Sequence, residues 1–228
     1  MKMIIIKTSF FSIFFLFLFC AYSQNEINIG SQIWMSKNLD IDHFRNGDLI
    51  FHAKNKEEWL SALQERKAAF FDNGVYGKLY NWYAVNDSRG LAPSGWIIPS
   101  DQDWTILTDF LGGARESGQK LKSKSGWSRS LTSNQEGYRQ DPNGINSYGF
   151  NALPSGNINP DGDIFMRGYY AFWWTSSELN SNTVWGKFIR DHDIRSWSDD
   201  EKYNNCATNI FSKGFGLAVR CIKNSNVK

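Results

Sequence analysis

Residues 79–111 read LYNWYAVNDSRGLAPSGWIIPSDQDWTILTDFL, and this stretch decides the fold class. It joins an aromatic segment ending at Val85, a polar turn through Gly90, and a short apolar strand that stops at Pro99 and restarts as a helix. Ser100 stands three residues before Asp103, so its hydroxyl is placed to accept an N–H of the first helical turn, while Asp101 and Asp103 face the positive end of the helix dipole. Trp104, Leu107 and Leu111 fall at i, i+3 and i+7 and form one apolar stripe, and Gly112 and Gly113 end the helix. Capping and periodicity account for these residues without a ligand, so the stretch reads as scaffold.

Toward the N-terminus, Asn55 is a helix cap followed by two glutamates, with Trp59, Leu63 and Phe70 on roughly one face, which predicts a surface helix from Lys56 to Ala69. Tyr76, Leu79, Tyr80, Trp82 and Tyr83 are apolar on more than one face and predict a buried helical segment. INIGSQIWM at 27–35 alternates around Gly30-Ser31 and reads as a short hairpin or a strand with a tight bend.

Toward the C-terminus, ARESGQKLKSKSGW at 114–127 offers a brief helical turn, and its Lys120, Lys122 and Lys124 read as a solvated face. Residues 128–148 read as a long polar loop. The segments 149–158, 171–178, 182–190 and 214–222 have strand length and aromatic or β-branched content, separated by Gly, Asn and Asp clusters, and predict an antiparallel sheet. Between them, DHDIRSWSDDEKYNNCAT at 191–208 is dense in oxygen-bearing side chains and reads as irregular. The expected architecture is α+β: two or three helices packed on a small twisted antiparallel sheet, with long loops.

The chain has 228 residues, enough for one domain with a substantial core. Residues 1–23 stand apart from it. Lys2 and Lys7 precede an apolar run from Phe10 to Phe19, and Ala21 and Ser23 supply the small residues a signal peptidase reads, so cleavage is expected at Ser23-Gln24, giving a secreted or cell-surface protein. Cys20 offers the alternative of a lipoprotein anchor, its only route to a membrane. Without the two signal lysines, 23 basic residues balance 23 acidic ones, which leaves no electrostatic footprint for nucleic acid. Outside the cytoplasm, Cys206 and Cys221 are expected to form one disulfide.

In order along the chain, IGSQIWMSKNLD, FRNGDLI, YGKLYNWYAV, APSGWIIPSDQDWTILTDFLGG, GQKLKS, YGFNALPSG, WWTSSE and GFGLAVRCIK resemble the Fibrobacter succinogenes major paralogous domain, known from secreted and surface proteins of Fibrobacter and Bacteroidetes. The resemblance spans 27–223, leaving 224–228 as a short tail. It implies a C-type-lectin-like fold with the N- and C-terminal strands paired, and it implies no activity, because that fold hosts sugar binders, protein binders and enzymes. One departure stands out: Ile97 occupies the position where relatives commonly carry a His after the first Trp of GWxxPSD.

For function, Trp197 lies beside Asp199, Asp200, Glu201, Asn204 and Asn205, a ring next to carboxylates and amides that can stack on a sugar face and hydrogen-bond its hydroxyls. The same oxygens are candidate calcium ligands, although no calcium-loop spacing is present and no other cofactor is indicated. A hydrolase would need two carboxyls at a set separation, such as Asp191 or Asp193 with Glu201 or Glu178, and no sequence pattern supplies that. His43, His52 and His192 share no metal-binding spacing. The expectation is a non-catalytic binding or adhesion module with a glycan or surface protein as its partner. The alternative is a structural surface component without a small ligand.

Overall fold

The computed structural model describes residues 26–128, 141–190 and 206–224. The chain begins with a hairpin, β1 (Glu26–Ile29) and β2 (Gln32–Met35), whose turn places Gly30 at φ 59°. After β3 (Phe51–His52), helix α1 (Lys56–Gln64) starts at Asn55, whose side chain accepts from the Glu58 N–H. The helix ends five residues earlier than its pattern predicts. Arg66 adopts φ 51°, and Ala69–Asp72 becomes β4, parallel to β3. There Ala69 and Phe70 are buried through strand pairing, so tertiary context overrides their helical register.

The predicted buried helix around Tyr80 is instead a strand, β5 (Lys78–Asn81), which pairs with β4 and runs into a single turn, α2 (Trp82–Val85). Asn81 makes that switch, since its Oδ1 accepts from the Ala84 N–H of the turn and from Ala69 N–H of the neighbouring strand. Next come β6 (Trp96–Ile97) and α3 (Asp101–Phe110). The expected cap is present: Ser100 Oγ accepts from Asp103 N–H at 3.1 Å, and Asp103 Oδ2 accepts from Ser100 N–H at 2.8 Å. The predicted brief turn is an eight-residue helix, α4 (Ala114–Leu121).

The remaining strands are β7 (Asn157–Ile158), β8 (Ile164–Phe165), β9 (Tyr170–Glu178), β10 (Thr183–Arg190), β11 (Cys206–Ser212), β12 (Gly216–Leu217) and β13 (Ile222–Lys223). The strands β3, β8 and β11 are not expected from the sequence; the first two are only two residues long, and the ATNI run of β11 lacks an apolar alternation. Three sheets form, not one, with strand orders β1-β2-β13-β6, β11-β10-β9 and β3-β4-β5-β12-β7-β8. Among the described residues every ladder between named strands except β3–β4 is antiparallel, which makes the architecture α+β. The N-terminal hairpin meets the last strand where β2 pairs with β13 through Trp34↔Ile222, a pairing of N- and C-terminal strands of the kind the resemblance implies.

Strand β9 sits between two apolar clusters. Ala171 and Trp173 enter one, with Trp34, Trp59, Trp104, Leu107, Leu111 and Phe150. Phe172 and Trp174 enter the other, with Tyr80, Trp82, Val184, Phe211 and Cys221. This is the period of two of a strand buried on both faces. In the first cluster the rings of Trp34 and Trp104 lie 4.9 Å apart and those of Phe150 and Trp173 5.9 Å apart, so the stripe of α3 packs against a nest of rings. Among the described residues no helix is long and apolar enough to cross a membrane.

Candidate functional site

The sequence-based ligand candidates Trp197, Asp199, Asp200, Glu201, Asn204 and Asn205 lie outside the described residues, as do Asp191, His192, Asp193, Cys20 and the expected signal segment. The other site expectations meet the structure directly. Cys206 and Cys221 are not bonded to each other: both are buried free thiols, in separate apolar clusters on either side of β9. Burial pushes each thiol up to about 12, so neither is a nucleophile at neutral pH. The expected disulfide is therefore corrected to two inert core thiols.

Glu178 Oε1 accepts from Lys213 Nζ at 2.9 Å and Trp82 Nε1 at 3.0 Å, and these two bonds, the lysine's first, hold its carboxyl below the ordinary range. A general acid needs the opposite displacement. No group of three or more His, Cys, Asp or Glu side chains with metal-binding geometry occurs among the described residues. Lys122 also departs from expectation. It is fully buried, with its Nζ donating to Pro142 O at 2.8 Å. Lys120 Nζ likewise donates to Leu111 O at 2.7 Å, at the end of α3.

The candidate concavity is a cleft of about 250 Å³ where four distant segments converge. Ser36, Lys37, Asn38 and Asp40 follow β2, Val75 to Gly77 form the opposite lip, and Asn151, Leu153 and Arg220 complete it. The backbone fixes this meeting: Met35 N–H donates to Cys221 O, Leu39 N–H to Val219 O, and Lys78 N–H to Leu39 O. Gly77 is required at the lip, since its φ is +83° and a Cβ there would stand 3.1 Å from Leu39 O.

Arg220 is 1% exposed and forms the floor. Its Nε and Nη2 donate to Asn38 Oδ1 at 3.1 and 2.7 Å, and its Nη1 donates to Phe150 O at 2.5 Å and Met35 O at 3.2 Å. The guanidinium also lies 4.4 Å from the Phe150 ring centroid. Asn38 Oδ1 takes a third donor, Trp173 Nε1 at 2.9 Å, while Asn38 Nδ2 donates to Tyr76 O at 3.0 Å. Thus every acceptor of Arg220 is neutral, and among the described residues no carboxylate pairs with it. Burial lowers its pKa to about 9, which still leaves it cationic at neutral pH.

Around this floor the rim is polar and unengaged. The side chains of Ser36, Lys37 and Asn151 have no hydrogen-bond or ion-pair partner among the described residues. Among the described residues Asp40 is the only carboxylate lining the cleft, and Lys78 Nζ holds its Oδ1 at 2.5 Å. A smaller concavity of about 190 Å³, lined by Ile41, His43, Phe44, Arg45, Leu91, Pro93 and Ser94, is more apolar. There Arg45 spends its Nε and Nη2 on Ala92 O.

Sequence reasoning missed the larger cleft because its residues are scattered over 36–220. One signal was available: Arg220 is a single charge inside the apolar run GFGLAVRCI. Four of the segments that carry the family resemblance, those containing Lys37-Asn38, Tyr76-Gly77, Asn151 and Arg220, supply its walls and floor. No curated protein and no solved structure matches the chain. A family model does, the Fibrobacter succinogenes major domain, over residues 27–223, which takes in every described strand and helix but the first residue of β1 and therefore the whole cleft. The order of motifs, the pairing of terminal strands and this match agree, and the chain belongs to the Fibrobacter succinogenes major domain family.

Proposed function

We propose that the protein is a non-catalytic binding module acting outside the cell, built on a C-type-lectin-like scaffold, with a glycan as its ligand. The observation that carries the reading is the cleft floored by Arg220. Its free polar groups, Ser36, Lys37 and Asn151, are donors and acceptors suited to sugar hydroxyls, while its single carboxylate, Asp40, is tied to Lys78. A site with one engaged carboxylate and no His or Cys is better equipped to hold a ligand than to transform it. The lectin-like scaffold is supported by the β2–β13 pairing and by helices α1 and α3 beside antiparallel strands.

The oxygen-rich stretch around Trp197 remains a second contact surface within this proposal, with calcium as its candidate ion. Capture of immobilised cell-wall and surface glycans by the purified protein, with and without chelator, tests the reading. Retention of at least one glycan class without any hydrolysis product is expected. Loss of capture on Trp197→Ala or on chelation would assign that stretch a role, and failure to retain any glycan would remove the proposal.

A further inference from the structure

We infer that the cleft is a carboxylate-binding site that takes an acidic sugar unit, with Arg220 as the buried countercharge at its floor and Lys37 as the second cation at its rim. This rests on the binding-module reading and specifies its ligand class. A buried ion without a counter-ion costs several kcal/mol, and proteins ordinarily offset that with an opposite charge. Here the described residues supply only the oxygens of Asn38, Met35 and Phe150. Of the guanidinium's five N–H groups those bonds use four, leaving one on Nη2 without a partner among the described residues.

The charges lining the cleft have the right sign. Lys37 is exposed with no ion pair, and Asp40 is already neutralised by Lys78, so Arg220 and Lys37 are left uncompensated. One free guanidinium N–H and one ammonium place two positive groups where the two oxygens of a carboxylate can each meet one. Size and rim chemistry select the rest of the ligand. About 250 Å³ lies just below the roughly 300 Å³ where pockets for drug-sized ligands begin, which suits a single sugar ring. Ser36 and Asn151 are then within the same cleft to meet its hydroxyls.

The test is calorimetric titration of the purified protein with oligomers of galacturonic acid, of its methyl ester and of galactose, and with a short peptide carrying a free terminal carboxylate. The acid is expected to bind at least roughly tenfold more tightly than the ester, which keeps the ring and removes the charge. Lys37→Gln alters an exposed, unengaged side chain and leaves the fold intact, and it is expected to weaken the acid by roughly three- to tenfold while leaving the ester unchanged. Asn38→Asp keeps the acceptor for Arg220 and adds an internal countercharge, so it is expected to stay folded and weaken the acid by roughly tenfold or more. Equal binding of acid, ester and galactose oligomers would overturn the carboxylate assignment while leaving the glycan-binding reading standing. Absence of binding by all three sugars would overturn the acidic-sugar assignment and leave the glycan-binding reading to the capture assay, and binding of the peptide in place of the sugar acid would likewise overturn the acidic-sugar assignment. Wild-type affinity in both variants would remove these residues from the site.

Discussion

Asn38 is the residue whose loss should be felt most widely, because one side chain serves three segments. Its Oδ1 accepts from Arg220 Nε, Arg220 Nη2 and Trp173 Nε1, and its Nδ2 donates to Tyr76 O. Asn38→Ala leaves two donors of a buried cation and one buried indole N–H without their acceptor. An unsatisfied buried donor costs roughly 1–3 kcal/mol, more when charged, and the three share one acceptor, so the terms are not fully additive. Asn38 itself is half-buried, so water re-enters and softens the loss. The expected destabilisation is about 3–5 kcal/mol, a large part of the roughly 5–15 kcal/mol that holds a typical domain. Urea unfolding followed by tryptophan fluorescence reads it directly. With a slope of roughly 2–3 kcal/mol per molar, the midpoint should fall by roughly 1–2.5 M. Asn38→Asp retains the acceptor and forfeits only the Nδ2 bond, so it should lie within about 1 kcal/mol of the parent. A shift below about 0.3 M for the alanine variant, or equal shifts for the two, would refute the assignment of Asn38 Oδ1 as the shared acceptor.

Three further outcomes are expected. Ser100→Ala removes the reciprocal cap of α3 and should lower stability by about 1 kcal/mol in the same urea assay, with Ser100→Asn recovering most of it. The Cys206 and Cys221 thiols should resist alkylation at pH 8 in the folded protein and react on unfolding, and a reductant should leave the urea midpoint unchanged; a reductant-induced drop would restore the disulfide. The carboxyls of Asp42, Asp48, Asp87 and Glu178 are held below their ordinary range, chiefly by His43, Asn46, Arg89 and Lys213 respectively. Each therefore contributes stability above its unfolded value near 4 that is lost as pH falls through the folded one, so the melting temperature should be flat from pH 5 to 7 and decline below about pH 4, less steeply in Glu178→Gln.

The parts of the fold legible in the sequence are those whose cause is local. The Ser100–Asp103 cap, the Gly30 turn and the stripe of Trp104, Leu107 and Leu111 each follow from interactions within one or two turns of chain. Where the expectation failed, a distant partner decided. Ala69 and Phe70 continue a helical pattern and become a strand because β3 and β5 lie beside them. Lys122 looks like a solvated lysine among small polar residues, yet Pro142 O reaches its Nζ in the interior. The strand β11 exists because β10 offers it a full antiparallel register, from Thr183↔Ser212 to Ile189↔Cys206.

The same division governs the site. By itself the sequence determined the family, the α+β class, the capped helix after Pro99 and, through the family resemblance, the pairing of its N-terminal strands with the C-terminal one, because motif order and short-range periodicity survive without coordinates. Only the tertiary structure decided that Lys37, Asn38, Asn151 and Arg220 line one cleft, that the buried guanidinium has neutral acceptors alone, and that the two cysteines lie in different clusters. Burial and the absence of a counter-ion depend on what packs around a charge, and for Arg220 that environment comes from residues 35, 38, 150 and 173. No local pattern carries that information.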